Sequence, residues 1–129
     1  MKGEKGLKRD ISDKSITLTL PWPPSVNHYY RKVGRRMLIS RRGRLYRQAV
    51  CAIVRELGIN SFDCELKLTI DAYPPDKRRR DGDNLLKAVF DSLQHGGVYK
   101  DDSQIKDFAF YTKEVDRPNG KIIVRLNKR

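Results

Sequence analysis

A chain of 129 residues is long enough for one cored domain and too short for two. Its 28 Lys and Arg outweigh 16 Asp and Glu to leave a formal charge of +12, which favours a polyanionic partner and above all nucleic acid. The composition argues against a membrane or secreted protein, since there is no long apolar run, signal-peptide core or lipidation motif, and a soluble, cytoplasmic protein is expected.

Residues 1–14 are polar and charge-rich without periodicity and read as a flexible basic arm ahead of a single domain over 15–129. Ile16, Leu18 and Leu20 alternate with Thr17 and Thr19, the period of a half-buried strand. Pro21, Pro23 and Pro24 stop it, and Trp22 between them is expected to pin the strand's exit to the core. Two short strand-like runs about Gly34 predict a basic hairpin. Ser40 then caps a helix over 41–57, with Leu45, Ala49, Ala52, Ile53 and Leu57 on one face and Gly58 as a left-handed C-terminal cap. Leu66, Leu68, Ile70 and Ala72 make a second alternating strand, ended by Pro74 and Pro75. After a charged turn, Leu85, Leu86, Val89, Phe90 and Leu93 give a second helix closed by Gly96 and Gly97. Strands over 105–112 and 121–126 follow, joined by a turn at Pro118, Asn119 and Gly120. No internal repeat is visible. This order predicts an α+β fold: a small mixed α/β single domain with a β-sheet and two main helices.

The two cysteines, Cys51 and Cys64, form no CxxC pair, and His28 and His95 belong to no metal-binding cluster, so zinc catalysis and Ser-His-Asp chemistry lack their parts. Any metal must be held by oxygen. Asp81 and Asp83 are two apart, so an extended turn would point both carboxylates to one side, and Gly82 between them permits close backbone approach. Asp101 and Asp102 lie beyond the second helix, whose length is about the reach needed to return a third carboxylate to the turn; spacing does not choose between them. Mg2+ held by such carboxylates activates water and neutralises the charge of a phosphodiester transition state. Arg80 and Lys87 are placed to balance the acids, and Lys87, one helical turn past Asp83, could orient a carboxylate, contact the scissile phosphate or stabilise developing charge. Each piece also has a plainer reading: Asp83 as an N-cap, Asp81 as a turn residue, and Asp101 and Asp102 as a solvated loop.

From Arg31 to Arg47 there are eight Lys or Arg and no acid, interleaved with Tyr46 and preceded by Tyr29 and Tyr30. Arg31, Lys32, Arg35 and Arg36 on the hairpin, with Lys77, Arg78, Arg79 and Arg80 before the aspartates, suit phosphate tracking, and Tyr30 is a candidate for stacking on an unpaired base. The alternatives are a solvated basic face and a tyrosine used in packing.

In order and spacing these residues resemble the RusA-type Holliday-junction resolvases. The likeness runs from the first strand through Pro21-Trp22-Pro23-Pro24-Ser25, Asn27 and Tyr29-Tyr30-Arg31, then from Pro75-Asp76 through Arg78-Arg79-Arg80-Asp81-Gly82-Asp83-Asn84-Leu85 and Lys87. It continues through Phe90-Asp91-Ser92-Leu93 and Asp101-Asp102-Ser103-Gln104. The resemblance implies a RusA-like α/β subunit, bacterial or phage-encoded, that forms a homodimer and cuts a four-way junction by paired symmetric nicks in recombination and repair. It implies Mg2+ or Mn2+ and no organic cofactor, metal ligands at Asp81, Asp83 and Asp102, an essential lysine at Lys87, and Asn27 on the DNA-facing side. Gly82 departs from the larger residue expected at its position. Two competing readings are a non-enzymatic basic DNA-binding module and a PD-(D/E)xK nuclease, and the latter lacks its acidic-x-Lys tripeptide after the second strand.

Overall fold

The computed structural model describes residues 15–129, and the arm expected over 1–14 lies outside the described residues. Chain order gives β1 (Ser15–Pro21), α1 (Val26–Tyr29), β2 (Tyr30–Val33), β3 (Arg36–Ile39), α2 (Arg41–Leu57), β4 (Leu66–Tyr73), α3 (Asp83–His95), a 3-10 turn (Asp102–Gln104), β5 (Ile105–Thr112) and β6 (Lys121–Lys128). The main sheet has the order β1-β6-β4-β5; β6 runs antiparallel to both β1 and β4, and β5 runs parallel to β4. A parallel pair needs a crossover, and α3 supplies it.

Alternation buries one face of this sheet. Ile16, Leu18 and Leu20 of β1, Leu66, Leu68, Ile70 and Ala72 of β4, and Ile122, Val124 and Leu126 of β6 form the core floor, while Thr17, Lys67 and Arg125 point outward to water. The two main helices cover the floor with Tyr46, Val50 and Val54 from α2 and Leu85, Ala88, Val89 and Leu93 from α3. None of the helices is long and apolar enough among the described residues to cross a membrane.

Local signals set α2 where the sequence puts it. Ser40 Oγ accepts the Gly43 amide at 2.9 Å, and Gly58 closes the helix at φ 65, a left-handed conformation that Gly adopts without steric cost. Its buried stripe differs from the expected one: Leu45 is 51% exposed and Leu57 38%, whereas Tyr46 and Val50 are buried. Apolar residues lie on two adjacent faces of this helix, and the long Tyr46 side chain decides between them, because its hydroxyl reaches the Pro21 carbonyl at 2.8 Å. The same contact ties α2 to the proline loop beyond β1.

The hairpin β2–β3 forms about Gly34, with Tyr30 opposite Ile39 and Val33 opposite Arg36, and residues 31–37 are all exposed. Its base is anchored through Gly43, where an added Cβ would collide with the Tyr29 carbonyl oxygen and stand 2.8 Å from Ile39 Cγ1. Backbone cannot yield as a flexible side chain can. Gly43→Ala is therefore expected to lower unfolding free energy by about 2 kcal/mol, in the range of overpacked sites, as read from the urea midpoint.

Candidate active site

An open cleft of about 880 Å³ lies between the proline loop after β1 and the segment joining β4 to α3. Trp22, His28, Arg42, Arg78, Arg79, Arg80, Asp81 and Asn84 are on its walls. The wall carrying Asp81 is braced by Arg80, whose guanidinium pairs with Asp76 Oδ1 at 2.9 Å and donates to the carbonyls of Asp76 and Arg78. It also sits 5.5 Å from the Trp22 ring centroid, so Trp22 is held at the cleft as well as at the strand's exit. The Arg78 amide, and then Arg80, hold the Asp76 carboxyl below its ordinary value. Of the predicted basic run, Lys77, Arg78 and Arg79 remain exposed to a ligand, and Arg80 is turned into the protein's own structure.

Asp81 and Asp83 are both exposed, but the turn between them is helical rather than extended. Gly82 is the N-cap at φ -60, ψ -39, and the amides of Asn84 and Leu85 donate to the carbonyls of Asp81 and Gly82. Residues two apart in helical backbone point to well-separated sides, so the expected same-side clamp is not seen. Nor is Asp83 the N-cap; it is the first residue of α3. A Cβ at position 82 would stand 3.0 Å from the Phe110 ring on β5, so a larger residue there needs that ring to shift. Lys87 is exposed one helical turn past Asp83.

Asp102 stands elsewhere. Its amide donates to Gln94 Oε1 at 3.0 Å, near the C-terminal end of α3. Gln94 lies eleven positions beyond Asp83 along the helix, about 16 Å at the standard rise. The helix thus carries the chain away from Asp81 and Asp83, and β5 begins before it can return. Consistently, no group of three His, Cys, Asp or Glu among the described residues is gathered closely enough to hold a metal ion. The two adjacent acids differ in their local roles. Asp101 is the N-cap of the 3-10 turn, with its carboxylate accepting the Ser103 amide at 2.9 Å, and this hydrogen bond holds it below its ordinary value. Asp102 follows it as the first residue of the turn.

The remaining predicted contacts are not among the residues that line the cleft. Asn27 is exposed on α1, and the hairpin residues Arg31, Lys32, Arg35 and Arg36 are exposed beyond it. Tyr30 is half-buried and packs edge-on to Tyr29 at 5.0 Å. Tyr29 itself is core: its hydroxyl donates to Asp91, which also pairs with Arg47 at 2.6 Å. Burial first, and the Asp91 carboxylate next, push the Tyr29 hydroxyl up to about 12. Sequence reasoning missed His28, Arg42 and Asn84 at the cleft and Gln94 and Gln104 beside Asp102. Only Gln104 carried a legible signal, the Asp-x-x-Gln spacing of a capping box.

A basic cleft walled by an aspartate, on a sheet backed by two helices, defines the class as a small α/β protein built to meet a polyanion with carboxylate chemistry at hand. A family profile described as Endodeoxyribonuclease RusA matches residues 21–127, and the chain belongs to this family. It is 39% identical over 110 residues to the crossover junction endodeoxyribonuclease of Enterobacteria phage HK97, covering 84% of this chain and 91% of the relative. The Escherichia coli enzyme of the same name is 42% identical over 104 residues, 80% of this chain and 87% of the relative. That of Enterobacteria phage 82 is 44% identical over 101 residues, covering 78% and 84%.

Proposed function

We propose that this chain is a crossover junction endodeoxyribonuclease that binds four-way DNA junctions as a homodimer and makes paired nicks with Mg2+ or Mn2+. Beside family membership, the carrying observation is Asp81 on the wall of a cleft otherwise rich in arginine. The donors fit a hard cation, because Asp81, Asp83 and Asp102 offer only carboxylate oxygen. When bound, the metal supplies an activated water and offsets charge at the phosphorus.

The separation of Asp83 from Asp102 along α3 supports a site shared by two copies. A two-fold axis that packs α3 antiparallel to its partner's α3 would bring the N-terminal end of one helix beside the C-terminal end of the other. Each such pairing joins Asp81 and Asp83 of one protomer to Asp102 of the other, giving two sites for two cuts. An apolar patch suits this contact. Phe108 on the edge strand β5 is 55% exposed and packs edge-on to Phe90 of α3 at 5.7 Å, beside half-buried Leu86 and Phe110.

Lys87 is exposed on α3 one turn past Asp83, and in this reading it meets the scissile phosphate. Arg78 and Arg79, with the hairpin's Arg31, Lys32, Arg35 and Arg36, hold the flanking backbone. Replacing Arg78 and Arg79 with Ala is expected to weaken junction binding and to reduce the slope of log K against log[salt] by about 2. An unchanged slope in a salt titration would remove both from the interface.

A synthetic four-way junction tests the function. Paired nicks that require Mg2+ or Mn2+ and vanish with chelator are expected. Tight binding without cleavage across both metals would instead leave a basic DNA-binding module.

A further inference from the structure

We propose that Gln104, assisted by Gln94, is the positioning residue that fixes Asp102 for metal binding. The inference rests on the reading of Asp102 as a metal ligand given above. All four hydrogen-bonding positions of the Gln104 amide are in use. Oε1 accepts the amides of Lys100 at 2.9 Å and Asp101 at 3.1 Å, and Nε2 donates to the carbonyls of Phe62 at 2.9 Å and Cys64 at 3.0 Å. One side chain therefore ties the loop before the 3-10 turn to the segment that enters β4.

Asp102 is caught between two such ties. On one side Gln104 and the Asp101 carboxylate close the capping box of the 3-10 turn. On the other, Gln94 of α3 accepts the Asp102 amide at 3.0 Å. The backbone at Asp102 is thus referenced both to β4 and to α3, and the direction in which its Cβ leaves the turn follows from that frame. A three-residue 3-10 turn has too few hydrogen bonds of its own to hold this direction. Groups that orient a metal ligand govern affinity without touching the metal. Gln104 acts in this way through backbone amides and carbonyls.

The test measures metal binding directly as well as cleavage. Mn2+ binding to the full-length protein is followed by electron paramagnetic resonance, and junction nicking is titrated with Mg2+. Gln104→Ala is expected to weaken Mn2+ binding about tenfold and to raise the Mg2+ concentration for half-maximal nicking by a similar factor, while junction affinity without metal stays within about twofold. Gln104→Glu keeps the acceptor but turns an oxygen toward two carbonyls, so it is expected to show the same shift. Wild-type Mn2+ binding and Mg2+ dependence in a folded Gln104→Ala protein would overturn the proposal. Should that variant lose its cooperative melt, Gln94→Ala decides, since this exposed side chain supplies a single bond to the loop. A shift of about threefold supports the proposal, and no shift overturns it. Asp102→Asn serves as the separate control: if it binds Mn2+ and nicks as the parent does, the reading of Asp102 fails, whatever Gln104 does.

Discussion

Asp83→Asn is expected to lower junction nicking by about a thousandfold while leaving junction binding unchanged or slightly tighter. In the proposed metal site, losing one carboxylate removes several kcal/mol of transition-state stabilisation, and each 1.36 kcal/mol is a factor of ten in rate. Binding moves the other way because a negative charge facing phosphate disappears. Unfolding cannot account for such a loss. Asp83 is exposed at the first position of α3, where its favourable interaction with the helix dipole is about 0.3–1 kcal/mol. Single-turnover kinetics beside a gel-shift titration separates the two effects, and a variant that nicks at the parental rate would take Asp83 out of the chemistry.

The second large effect is expected from Phe108→Glu. The ring is more than half exposed in the single chain, so its removal costs the fold little beyond the edge-on contact with Phe90, about 0.5–1.5 kcal/mol. Within the dimer proposed above, a carboxylate in this apolar contact is far more costly, because it is buried there unpaired. Light scattering should show a monomer, and nicking should fall to background, since the proposed shared site draws its aspartates from both protomers. A variant that stays dimeric would move the interface away from β5.

The parts of the fold that were legible in the sequence are those fixed by neighbours in the chain. Ser40 and Gly58 bracket α2 because a hydroxyl cap and a left-handed Gly act within one turn, and alternation placed β1 and β4 because one sheet face is buried. The buried stripe of α2 was not legible, since it depends on the reach of Tyr46 to Pro21 across the fold. The helical turn α1 has only four residues and offers no periodicity to read. At the site, residue types were more legible than their arrangement. The length of α3 could be read, but not that it would separate Asp83 from Asp102, and an extended Asp-x-Asp turn was expected where Gly82 begins a helix. The basic run before Asp81 was visible, whereas the diversion of Arg80 to Asp76 and Trp22 is a tertiary fact.

A mixed dimer tests the shared site most directly. Asp83→Asn and Asp102→Asn chains, each inactive alone, are co-expressed with different tags and the heterodimer is purified. If each site joins Asp83 of one protomer to Asp102 of the other, one site of the heterodimer carries both substitutions and the other carries neither. The heterodimer should then nick one strand of a four-way junction with Mg2+, at about the parental rate for a single site. If each site is instead formed within one chain, both sites are damaged, and a heterodimer as inactive as its parents would contradict the account.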